Sequence, residues 1–187
     1  MIRNANDKLK VTLIICTYMR PEMVDKLLNS LLTTVSVCNE ILIVDASDND
    51  STKSVVEKYC MQLAGLRYVK SDRGLTLQRN VGLQEATGDV IGFFDDDIVP
   101  DENFFALLYD IFESMPEVYG VVPYVYESDN SERHDFKGYL MRCFEMLCGK
   151  SFFVKICRKN NFNNRLTNEI VDNVLANGCS FYRRAVF

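Results

Sequence analysis

Apolar runs of strand length alternate with segments of helical period along the first 120 residues, and this alternation leaves the chain few folds to choose from. VTLIIC (11–16), EILIVDA (40–46), LRYVK (66–70), DVIGFF (89–94) and GVVPYVYE (120–127) read as extended segments. After Pro21, residues Val24, Leu27, Leu28, Leu31, Leu32 and Val35 form one helical face. Val55, Val56, Tyr59, Cys60 and Leu63 form a second, with Asp50 or Ser51 as its expected cap. LTLQRNVGLQEAT (75–87), with an internal Gly82, and NFFALLYDIFESM (103–115), stopped by Pro116, complete the helices. Strands joined by helices of this length need right-handed crossovers and a mostly parallel sheet. Near-continuous apolar strands also need cover on both faces. The expected fold is α/β, a Rossmann-like sheet flanked by helices on both sides.

Past residue 128 the pattern loosens. YLMRCFEML reads as a helix, RKNNFNNRLTNE as a loop and VLANGCSFYRRAVF as a closing strand. The whole fits one domain, divided at about residue 127 into a regular half (1–127) and an irregular part (128–187).

Composition removes several function classes. A net charge of -5 offers no basic field for nucleic acid, and the acid excess favours cation sites. No apolar stretch reaches the roughly eighteen residues of a membrane span. MIRNANDKLK lacks the apolar core of a signal peptide. The seven cysteines are odd in number, widely spaced and without a Cys-x-x-Cys pair, and His134 is the one histidine. A disulfide framework or a zinc site is not expected, and the cysteines read as reduced, in a cytoplasmic protein.

In an open parallel sheet, ligands bind beyond the carboxyl ends of the strands. Those ends here carry CTYMRP, DASDND, KSDRG and DDD. Three adjacent aspartates repel one another and need a compensating charge. If the strand continues through them, Asp95 and Asp97 share a side and make a hard-oxygen site for Mg²⁺ or Mn²⁺. A cation held by so few carboxylates takes its remaining ligands from phosphate and water, which points to a nucleoside diphosphate, with Asp45 available to a base or ribose. No G-x-G-x-x-G follows the first strand and no phosphate-cradling GK[ST] loop is present. FFDDDIV fits the nucleophile motif of haloacid dehalogenase-type phosphatases, but follows the fourth strand instead of the first.

VTLIICTYMRP, EILIVDASDND, LTLQRNVGLQEATGDVIGFFDDDIVP and the late NGCSFYRRAVF, in that order and spacing, resemble the GT-A fold glycosyltransferases of family 2. The resemblance implies a metal-dependent, inverting transfer of a sugar from a nucleotide-diphosphate sugar, UDP-linked by preference, to a hydroxyl of a glycan or lipid-linked acceptor, in polysaccharide or glycoconjugate synthesis. It implies Thr17 and Tyr18 against base and ribose, Asp45 accepting from the base, Arg79 near the base or diphosphate, and Asp95 on the ribose or sugar. Asp97, with Asp95, would ligate Mg²⁺ or Mn²⁺, and Asp96 would point away or touch the sugar. Residues 1–127 become the donor half and 128–187 the acceptor side. Met19 stands where the family commonly has asparagine. The family's catalytic base lies after the glycine strand, so it is expected beyond Phe187, and Glu169 and Asp172 come too early for it. The chain then reads as a truncated enzyme, or alternatively as a donor-binding module. Leu140, Met141, Phe144, Met146 and Leu147 fit core packing better than docking on a membrane or lipid-linked acceptor, which leaves peripheral membrane contact as the second reading.

Overall fold

The computed structural model describes residues 8–35, 38–116, 118–123, 154–158 and 179–187. The alternation read from the sequence is present. Strands β1 (Val11–Thr17), β2 (Glu40–Asp45), β3 (Leu66–Lys70) and β4 (Val90–Asp95) are joined by helices α1 (Pro21–Thr34), α2 (Ser51–Tyr59) and α3 (Leu75–Glu85). Helix α4 (Phe104–Ser114) precedes β5 (Val118–Pro123), and β6 (Val154–Arg158) and β7 (Cys179–Arg183) follow. One seven-stranded sheet results, in the order β3-β2-β1-β4-β7-β5-β6. β1 to β4 are parallel, β7 is antiparallel to both β4 and β5, and β6 is antiparallel to β5.

The strands are apolar on both faces because both are covered. Leu13, Ile15, Ile41, Ile43 and Phe94 face α1, α2 and α4, whereas Ile14, Leu42, Val44, Ile91 and Phe93 belong to the core under α3. Gly82 sets how closely α3 approaches. A Cβ there would lie 2.5 Å from Ile14 Cγ2 and 3.2 Å from Val44 Cγ2, so the residue that weakens the helical pattern also brings the helix onto the sheet.

Several expectations are corrected. α2 ends at Tyr59, leaving Cys60 exposed, while Leu63 is buried from the turn that follows. Neither Asp50 nor Ser51 caps that helix through its side chain; Asn49 Oδ1 instead accepts the Ser51 N–H at 3.0 Å. β5 begins two residues earlier than the apolar run suggests. β4 stops at Asp95, so Asp96 and Asp97 belong to a turn in which the Ile98 N–H donates to the Asp95 carbonyl. The helix expected over YLMRCFEML, the loop over RKNNFNNRLTNE, His134, Glu169 and Asp172 lie outside the described residues. Among those described, Cys16, Cys38, Cys60 and Cys179 are free thiols, and no helix is long and apolar enough to cross a membrane.

The closing basic pair is structural. The Arg183 guanidinium donates to the carbonyls of Phe112 and Met115, at the end of α4, and of Val118, the first residue of β5. Arg184 donates to those of Ala86 and Gly88, after α3. Each side chain thereby ties β7 and the residues after it to the segment that ends a helix.

Candidate active site

Parallel register brings the polar strand ends to one edge. Thr17 pairs with Asp45, Cys16 with Asp95, and Asp45 with Lys70. Beyond that edge opens a cleft of about 350 Å³, lined by Thr17, Tyr18 and Arg20 after β1, by Arg73, Gly74, Leu75 and Gln78 at the start of α3, and by the three aspartates.

The aspartates are held differently. Asp96 is buried, its Oδ2 accepting from the Thr17 hydroxyl at 2.7 Å and its Oδ1 from Arg20 at 2.8 Å. Asp97 is half exposed and accepts from the other arm of Arg20 at 3.1 Å. Asp95 faces Arg79 at 3.7 Å. Two guanidinium groups therefore supply the compensation that the triple charge demands. Burial, followed by repulsion from Asp97 and Asp96, still holds the Asp95 carboxyl above the usual carboxylate range, against the pull of Arg79 and Arg20. Burial likewise raises Asp96, although the Thr17 bond and Arg20 oppose it.

The cleft gathers Thr17, Tyr18, Asp95, Asp96 and Asp97. Arg79 stands behind it, largely buried, its guanidinium 5.8 Å from the Phe93 ring centre. Asp45 does not line it. That side chain is fully buried; its Oδ1 accepts from the Ser47 N–H at 2.9 Å and hydroxyl at 2.5 Å, and its Oδ2 from the Tyr68 hydroxyl at 3.0 Å. Its carboxylate is spent inside the fold. Ser47 in turn accepts the Met19 N–H at 2.7 Å, and Lys70 donates to the Ser47 carbonyl. Asp45 thus shapes the site through the turn that carries Tyr18 and Arg20.

Four further residues belong to the cleft. Arg73 lies over the Tyr18 ring, 4.5 Å from its centre. Gln78, buried on α3, donates to the carbonyls of Thr17 and Val44 at 2.8 and 2.9 Å and clamps two strand ends together. Arg20 spans Asp96 and Asp97. Cys16 has its thiol pushed up to about 12 by burial, which keeps it protonated and a poor metal ligand. The one signal for Gln78 was an amide four residues before a helical glycine.

Among the described residues, no three His, Cys, Asp or Glu side chains are gathered as a cation cage. Asp95 and Asp97 are the hard-oxygen donors at the cleft, and two carboxylates fit Mg²⁺ or Mn²⁺ where phosphate and water complete the shell.

The family model for glycosyl transferase family 2 matches residues 12–187. The chain belongs to that family. Among curated relatives, this family 2 chain is 26% identical over 104 residues to a cholesterol galactosyltransferase of Borreliella burgdorferi, a match covering 55% of the chain and 29% of the relative. Among solved structures it superposes on S. aureus TarS with a TM-score of 0.62 at 20% identity, covering 95% of this chain and 48% of the other. It superposes on a mannosyltransferase of Pyrobaculum calidifontis, solved with GDP-Man and Mn²⁺, with a TM-score of 0.58 at 21% identity, covering 92% and 50%. The chain thus spans half or less of the length of these proteins. The shared architecture is the GT-A fold. With the triple aspartate at the end of the fourth strand in a family 2 chain, the dehalogenase-type phosphatase reading is set aside.

Proposed function

We propose that this chain carries the donor site of a metal-dependent, inverting glycosyltransferase that moves a sugar from a nucleotide-diphosphate sugar to an acceptor hydroxyl, in polysaccharide or glycoconjugate synthesis. The observation that carries the reading is the position of Asp95 and Asp97, two partly exposed carboxylates on one cleft with Thr17, Tyr18 and the cations Arg20 and Arg73. An apolar or neutral ligand would leave that charge unused, whereas a diphosphate with a divalent cation meets both signs of it.

In this reading Tyr18 offers a ring for the base, Thr17 and Asp95 face the ribose or sugar, and Asp97, with Asp95, would hold Mg²⁺ or Mn²⁺. When bound, the cation would neutralise charge on the departing diphosphate as a Lewis acid. Asp45 acts as a positioning residue instead of meeting the base. Residues 1–127 form the donor half, the acceptor is a glycan or lipid-linked hydroxyl, and no described residue is assigned as the base. The mannosyltransferase solved with GDP-Man and Mn²⁺ supports the ligand class, and a UDP-linked donor remains the first choice for this chain.

The test is calorimetric titration of UDP and GDP with and without Mn²⁺, followed by release of nucleoside diphosphate from the matching sugar donor. Saturable binding that Mn²⁺ strengthens is expected, with that Mn²⁺ dependence lost in Asp97→Asn, together with donor turnover by the parent. Absence of nucleotide binding at millimolar ligand would overturn the reading. Binding without turnover would favour a donor-binding module.

A further inference from the structure

We propose that Arg20 is a donor-binding residue that occupies Asp97 in the free protein and transfers one arm to the donor's diphosphate once a divalent cation takes that carboxylate. The inference rests on the donor-site reading above.

The two arms of Arg20 are held unequally. NH1 bonds Asp96, whose side chain is 5% exposed and whose second oxygen is engaged by Thr17. NH2 bonds Asp97, whose side chain is 51% exposed. A charge-assisted bond to a buried, already oriented carboxylate outlasts one to a solvated carboxylate that water and salt can screen. The backbone of Arg20 is fixed as well: its carbonyl accepts the N–H groups of Met23 and Val24 at the start of α1, and Pro21 follows it. Arg20 therefore has a firm anchor on Asp96 and a releasable arm on Asp97.

A divalent cation on Asp97 competes with Arg20 for the carboxylate's charge and repels the guanidinium beside it, so the NH2 bond to Oδ2 is weakened. Arg20, Arg73, Asp95 and Asp97 line the same cleft, so an NH2 released from Asp97 remains beside the space a ligand there would fill. A diphosphate oxygen is the acceptor whose charge and geometry suit it. Arg20 would in this way make nucleotide binding depend on the cation beyond the direct metal–phosphate bond. The coupling is reciprocal, so nucleotide tightens cation binding by the same factor.

The inference gives effects of opposite sign that a purely structural ion pair would not. Mn²⁺ alone, followed by the electron paramagnetic resonance of the free ion, should bind Arg20→Gln several-fold more tightly than the parent chain. UDP or GDP in saturating Mn²⁺, whichever the parent binds better, should bind Arg20→Gln about tenfold more weakly, the loss of roughly one charge-assisted hydrogen bond. In EDTA, Asp97→Asn should bind that nucleotide more tightly than the parent, since Arg20 is released without a metal. Arg20→Lys, which retains charge but cannot span both carboxylates, should fall between parent and Arg20→Gln, and it carries the test if Arg20→Gln does not fold by circular dichroism. Unchanged Mn²⁺ affinity in the folded Arg20 variants, or no gain for Asp97→Asn in EDTA, would overturn the Arg20 role while leaving the donor site intact. A parent chain that binds neither nucleotide with Mn²⁺ would overturn both.

Discussion

The backbone N–H of Met19 donates to the hydroxyl of Ser47 at 2.7 Å, tying the turn after β1 to the turn after β2. Met19 makes this bond with φ at 54°, in the left-handed region, and it is the one described non-glycine residue there. That conformation costs an ordinary L-residue about 1 kcal/mol, and asparagine tolerates it better. Met19→Asn should therefore raise the unfolding free energy by about 1 kcal/mol in urea titration. Nucleotide affinity should not change, because the bond to Ser47 comes from the main chain.

Asp45 holds Ser47 from the other side, and its removal should show first in stability. Asp45→Ala strands the Ser47 N–H and hydroxyl and the Tyr68 hydroxyl, at an expected cost of about 2–4 kcal/mol. Burial, and then the bond to Asp45, pushes the Tyr68 hydroxyl up to about 12. Asp45→Asn removes the negative charge, so an NMR titration of the Tyr68 ring should find its pKa lower than in the parent.

Asp95 should trade stability for function. Its pKa in the fold lies above the ordinary carboxylate value, so between those two values the folded chain binds more protons than the unfolded one. Stability then falls as pH rises through that window, and the deficit persists at neutral pH. Asp95→Asn should stabilise the chain near pH 7 and flatten that part of the acid profile. The gain should stay below about 1 kcal/mol, since the side chain is 43% exposed and solvent screens it. Nucleotide binding with Mn²⁺ should be lost at the same time.

Glu40 should behave in the opposite sense at the other end of the sheet. Burial would raise its pKa, but donation from Thr12, Thr87 and Arg67 more than offsets this and holds it below the usual range. A lowered folded pKa gives stability that is present above the unfolded value and lost as pH falls through the folded one. Glu40→Gln should cost about 1–3 kcal/mol at neutral pH and little once the parent's carboxylate is protonated, as read from unfolding midpoints across the acid range.

Gly82→Ala should loosen both fold and cleft. The new methyl meets Ile14 Cγ2 at 2.5 Å, so the expected cost is about 1–3 kcal/mol of overpacking. Gln78, one turn earlier, should lose its grip on the Thr17 and Val44 carbonyls, visible as faster amide exchange where β1 and β2 end.

The fold was legible where burial on both faces writes a continuous apolar run, as in VTLIIC and EILIVD, and the periodicity of α1 and α4 was equally plain. The aspartate cluster could be read because charge at the end of such a run has few uses. What escaped depends on contacts between residues far apart in the chain. Nothing in DASDND marks Asp45 as spent on Tyr68, 23 residues away, or Ser47 as the support for Met19. The Arg183 and Arg184 side chains reach carbonyls 65 to 98 residues earlier, which no local pattern encodes. Whether β4 continues through the aspartates is open in the sequence for another reason. An Asp-Asp-Asp run is compatible with strand or turn, and the bonds of Asp96 to Thr17 and Arg20 favour the turn.

The place of β7 between β4 and β5 has a consequence for how the chain comes off the ribosome. β1, β2 and β3 are neighbours in both chain and sheet and can pair as they emerge, whereas β4 (Val90–Asp95) must return to lie against β1 (Val11–Thr17). β5 is made some sixty residues before the strand it must lie against, so it cannot join the sheet until residues 179–183 have been translated. Throughout that interval the nascent sheet presents the open edge of β4, whose buried partners Phe93 and Phe94 later face Ser180 and Cys179. An unpaired apolar edge is a target for aggregation. Chaperone dependence during translation, and poor recovery of fragments ending before residue 179, are the expected outcomes of a strand that enters between two strands made before it.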